Sequence, residues 1–82
     1  MTEPQIAERL HAYFSEVFPH PGRRPELDTD LLNDWFVDSF GVIQTVQFLE
    51  DCFGVALSRA DIHATHFNSI RALAALVRRK LG

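Results

Sequence analysis

Ser39 follows Asp38 and precedes a run, Phe40 to Phe53, whose apolar residues recur at helical spacing. A serine at a helix start can do two kinds of chemistry. As a nucleophile it needs a base and a third group to orient that base. An aspartate next to it in sequence does not make that geometry, and no nucleophile-elbow scaffold surrounds Ser39. As an anchor it needs only an accessible hydroxyl. Helix starts favour serine, which can cap an orphan N–H, and they favour negative charge, because the dipole presents its positive end there. A phosphate ester on Ser39 would sit well electrostatically.

Other reactive side chains form no constellation. His63 and His66 are three apart and could share a helical face, but zinc needs further ligands and Asp61 is the only nearby acid. They read as surface histidines, and His11 and His20 add nothing to them. Cys52 is the only cysteine, so neither an internal disulfide nor a cysteine metal cluster can form. It reads as a small helix residue beside the core.

The elements that must position Ser39 follow from the pattern. Thr2 can cap a first helix, and Gln5 can close a capping box. Ile6, Leu10, Tyr13, Phe14 and Val17 make its inner stripe, and Pro19-His20-Pro21-Gly22 ends it near Phe18. The connection from Pro19 to Asp38 is long, so it should be pinned by Leu27, Leu31, Leu32, Trp35 and Phe36, with a short helical turn at Asp30 to Asn33. Trp35 reads as a buried loop anchor. On the second helix, Val42, Ile43, Val46, Leu49 and Phe53 share the face to bury, and Phe40, Gln44, Gln47 and Asp51 lie opposite. Phe48, off that stripe, is expected to pack on the third helix. Gly54 stops the second helix, Ser58 caps a short third helix around Arg59 to Ala64, and Ile62 and Phe67 fold back onto helices two and four. Asn68 or Ser69 caps a last helix with an inner stripe of Ile70, Leu73, Ala74, Val77 and Leu81. Arg78, Arg79 and Lys80 complement the dipole at its end. The fold class is all-α, a small four-helix bundle of three longer helices and a short third one.

With 82 residues, 46% of them hydrophobic, the chain suits one small domain spanning 1–82, too short for a doubly wound sheet with a cleft. No apolar run reaches membrane-spanning length and the N-terminus does not resemble a signal sequence, so a cytoplasmic protein without membrane insertion is expected. From Glu26 to Asp51 the chain carries seven acids and no Lys or Arg. That argues against nucleic acid as a partner and for partners with basic patches.

Asp38-Ser39-Phe40, followed by a helix ending Leu49-Glu50-Asp51-Cys52-Phe53, resembles the modification motif of acyl and peptidyl carrier proteins. Phe53-Gly54-Val55-Ala56-Leu57 and Phe67-Asn68-Ser69-Ile70 resemble that family's segments after the helix and before its last helix. The resemblance runs from about Leu27 to Leu81. It implies that Ser39 carries 4'-phosphopantetheine through a phosphodiester, delivered by a phosphopantetheinyl transferase from coenzyme A. It implies a non-catalytic monomeric carrier, served by a cargo-loading adenylating enzyme or acyltransferase and a downstream synthase or transferase. It assigns Asp38, Phe40, Gln44, Gln47, Glu50 and Asp51 to partner contacts. Two departures stand out: Phe36-Val37 replaces a segment where many members have Gly two residues before the Asp, and Gln44 stands where fatty-acid carriers often have Glu.

Asp38-Ser39-Phe40-Gly41-Val42-Ile43-Gln44 is also similar to the D-alanyl carrier motif of cell-wall modification, whereas Trp35 and the Phe67-Asn68-Ser69-Ile70 segment look more like polyketide and nonribosomal peptide carriers. Natural-product assembly is therefore the expected setting. The alternative of another class is an unmodified helical interaction module using the same acidic and aromatic face.

Overall fold

The computed structural model describes residues 1–19, 22, 24–33, 35 and 39–82. Four helices follow one another: α1 (Glu3–Val17), α2 (Ser39–Phe53), α3 (Ala64–Phe67) and α4 (Ile70–Leu81). No strand occurs among the described residues. The all-α bundle with one short third helix is as the helical spacing predicted.

Local chemistry accounts for most helix boundaries. The Thr2 hydroxyl accepts from the Gln5 N–H at 3.4 Å while the Gln5 side-chain oxygen accepts from the Thr2 N–H at 2.9 Å, a complete capping box. Gly54 takes φ 67° just past α2, a left-handed conformation that glycine adopts without steric cost. Of the two cap residues considered for α4, Ser69 performs the role, accepting from the Ala72 N–H at 3.1 Å.

The third helix differs from expectation. Residues 59–61 form a turn, and α3 starts only at Ala64. The Ser58 N–H and hydroxyl both donate to Asp61, each at 2.9 Å, which closes a tight turn where a helix would have run on. His63 caps α3, its Nδ1 accepting from the Thr65 N–H. Ile62, placed in the core by its hydrophobicity, is 40% exposed on this turn, whereas Phe67 is buried.

One apolar cluster joins Ile6, Leu10 and Phe14 of α1 to Leu49 and Phe53 of α2, Phe67 of α3 and Ile70, Leu73, Leu76 and Val77 of α4. Phe48 belongs to it through α1 rather than α3: its ring stacks on Tyr13 with centroids 4.1 Å apart. Val17 and Leu81, expected on inner stripes, lie partly in solvent because each sits in the last turn of its helix, beyond the packed layer.

The long connection is fastened to α4 and α1. The Leu31 N–H donates to the Asn68 carbonyl, and the Leu27 carbonyl accepts the N–H of Arg71 in the first turn of α4. Asp28 and Arg71 add two bonds at 2.7 and 3.1 Å. Leu31 and Trp35 are fully packed, as is Pro25, and Leu27 and Leu32 are half-buried. The expected helical turn at Asp30 to Asn33 is a plain turn, held by the Asp30 carboxylate accepting from the Asn33 backbone and side chain. Phe36, the remaining expected pin, lies outside the described residues, as do Asp34, Val37, His20 and Asp38.

Candidate functional site

Ser39 is the first residue of α2, and it is exposed. Two supports fix where that helix begins. Trp35, four residues earlier, is buried, and its indole N–H donates to the Phe18 carbonyl at 3.0 Å, tying the incoming chain to the end of α1. Behind Ser39, α2 seats on the core through Gly41, Thr45, Leu49 and Phe53, an every-fourth-residue stripe. The hydroxyl of Ser39 has no hydrogen-bond partner among the described residues. The first-turn N–H groups of a helix lack intrahelical acceptors and carry the positive end of the dipole, so added negative charge at this hydroxyl is favoured.

The buried arc of α2 is rotated from the one hydrophobicity alone predicts. Ile43, expected inside, is 65% exposed, and Thr45 is completely buried in its place. Thr45 tolerates this because its hydroxyl donates to the Gly41 carbonyl at 2.8 Å, so no polar group is left unmatched. Val42 and Val46 flank the arc half-buried.

Phe40, Gln44, Gln47 and Asp51 are exposed, as expected. Gln47 donates to both Asp51 carboxylate oxygens, at 3.2 and 3.1 Å, so these two residues present one joined polar surface. Glu50 differs from them. It is half-buried, and its carboxylate accepts the Leu57 N–H at 3.1 Å, holding the segment after α2 against the helix. Ile43, which the sequence reading did not include, joins Phe40 (67% exposed) beside Ser39 as a second exposed apolar side chain on the first turns of α2. The signal that could have found it is the pair Gly41 and Thr45: small residues four apart mark a line of close helix approach, and Ile43 falls off that line. Asp38, the remaining candidate, lies outside the described residues.

The other side chains singled out in the sequence have local roles. His63 is committed to the α3 cap, and the His11 ring lies 2.9 Å from the Ala7 carbonyl through Nδ1. Cys52 is half-buried, with an Arg9 guanidinium nitrogen 3.6 Å from its sulfur.

An exposed hydroxyl with no partner among the described residues fits a covalently attached phosphate diester, which needs that oxygen open to an incoming group. A family model described as phosphopantetheine attachment site matches residues 8–77. No curated protein matches the chain, and no solved structure does.

Proposed function

The chain belongs to the phosphopantetheine-attachment family of carrier proteins, and on that premise we propose that Ser39 is its attachment residue. The family supplies the cofactor, covalent 4'-phosphopantetheine. The observation that supports the assignment to Ser39 is its position: an exposed hydroxyl, without a bond to any described residue, at the first residue of α2 and within the Asp38-Ser39-Phe40 motif. When bound, the arm supplies a terminal thiol that holds cargo as a thioester. This chain's residues present the hydroxyl, fix the helix that carries it and offer the surrounding surface. Carriers of this family interact with a phosphopantetheinyl transferase and with enzymes that load and use the cargo. On this chain the contacts would fall on Asp38, Phe40, Gln44, Gln47, Glu50 and Asp51.

The same reading makes residues 1–82 a single non-catalytic carrier domain working in the cytoplasm and carrying acyl or aminoacyl cargo in polyketide or nonribosomal peptide assembly. What supports that setting is Trp35 together with the Phe67-Asn68-Ser69-Ile70 segment, and Gln44 in place of an acid points away from fatty acid synthesis. A D-alanyl carrier is the second reading, supported by Asp38-Ser39-Phe40-Gly41-Val42-Ile43-Gln44.

Intact-mass measurement after incubation with coenzyme A and a broad-specificity transferase tests the attachment. The expected product gains one arm, and Ser39→Ala gains none. Absence of any gain, or a gain that persists in Ser39→Ala, overturns the assignment. The mass of the group carried by holo protein from its own host then separates D-alanine from other acyl or aminoacyl cargo.

A further inference from the structure

A groove of about 1130 Å³ lies between residues 3–12 of α1, the segment 24–27 and the start of α4. None of its lining residues belongs to α2, so it is separate from the residues proposed around Ser39. Its apolar lining is small: Ala7, Ala12, Ala74, Pro4 and Pro25, with Leu27 the one larger side chain. Such a floor lets the backbone of another helix come close.

The rim carries Glu3, Glu8 and Glu26, all exposed. Two cations share it. Arg71 is already committed to Asp28 through two bonds, and Arg24 has no ion-pair partner among the described residues. With Arg71 offset by Asp28 and also acted on by Glu3, the three rim carboxylates stand against the Arg24 guanidinium and the His11 ring, which leaves the rim acidic. An apolar floor of small residues under an acidic rim is complementary to a helix with an apolar stripe flanked by Lys or Arg.

We propose that this groove docks a cationic amphipathic helix of a partner protein. A partner seated there contacts α1 and α4 and leaves the α2 residues free. The carrier could then stay attached to one protein while the proposed Ser39 surface is offered to others. The groove itself does not depend on the arm, and the docking is the same for the bare and the modified chain.

The probe is a designed helical peptide of Leu, Ala and Lys with its lysines flanking one apolar stripe, titrated into the isotopically labelled protein. The amides of Ala7, Glu8, Leu27 and Ala74 are expected to shift, in the native chain and in Ser39→Ala alike. Glu8→Lys and Glu26→Lys should each weaken binding by roughly fivefold, the scale of exposed charge pairs. Glu16→Lys makes the same net-charge change about 12 Å further along α1 and should leave binding unchanged. Shifts centred on α2, or equal weakening by Glu16→Lys, overturn the proposal. So does concentration-dependent shifting of the same groove amides without peptide, which would make a second copy the occupant. Because Ser39→Ala takes part in the titration, failure of the groove and failure of the attachment assignment are separate results.

Discussion

Thr45 and Ile43 show how a single side chain can reverse a prediction based on polarity. A buried threonine is tolerated when its hydroxyl finds an acceptor one turn back, and the Gly41 carbonyl supplies it. The isoleucine two positions earlier then faces outward. This has a measurable consequence for stability. Ile43→Ser should change the unfolding free energy by less than about 0.5 kcal/mol, as surface substitutions do. Leu49→Ala, at a fully buried site of the same helix, should cost about 2–5 kcal/mol. Urea unfolding of the two variants checks the pair, and a large loss in Ile43→Ser would place that side chain in the core after all. Glu50 makes a related point about charge. The family resemblance assigns it to partner contacts, but its carboxylate also holds the Leu57 N–H, so replacing it perturbs the loop as well as any partner.

At the scale of elements, termini were more legible than faces. The Thr2–Gln5 box and the Gly54 stop are short-range motifs set within a few residues of each terminus, so sequence suffices to find them. The choice between Asn68 and Ser69 needed the structure: Asn68 is helical at the end of α3 (φ −83°, ψ −11°), whereas Ser69 is extended and its hydroxyl accepts from the Ala72 N–H. Ser69→Ala should therefore lower stability by about 1 kcal/mol, while Asn68→Ala, whose exposed side chain makes no bond among the described residues, should stay within about 0.5 kcal/mol. Equal losses in thermal unfolding would show that the cap is shared. The third helix was misplaced because Asp61 offered Ser58 a closed turn, a local alternative that helical spacing does not reveal.

For the whole molecule, distant segments are tied by a few ionic contacts. Lys80 at the end of α4 bonds to Asp61 in the α2–α3 connection, at 2.5 Å. That ammonium, together with the Ser58 donors, holds the Asp61 carboxyl at about 2, well below the ordinary carboxylate range. Asp28 is likewise lowered, chiefly by the Arg71 guanidinium, and Asp30 by Asn33. All three are depressed in the folded chain, so the unfolded chain binds protons more readily at low pH. Their contribution is complete above the unfolded value near pH 4 and is lost as pH falls below it, for Asp61 as pH approaches about 2. Asp61→Asn should flatten the acid limb of a stability–pH curve in that window and leave the shape of the neutral region unchanged. An acid limb identical to that of the native chain would remove Asp61 from the account.

The Cα radius of gyration, 11.5 Å, is close to the roughly 12 Å expected of a folded chain this long, and residues 24–33 of the α1–α2 connection are fastened to the bundle. Sequence alone determined the helical class, the ends of α1 and α2, the buried Trp35 and the serine motif, because each depends on residue type and on neighbours a turn or two away. Tertiary structure decided what depends on distant partners. It turned α2 so that Ile43 stands beside Ser39, seated Phe48 on Tyr13, engaged the Glu50 carboxylate and opened the acidic groove between α1 and α4. A helix's inward face is set by the shapes packed against it, and no spacing rule within the helix contains them.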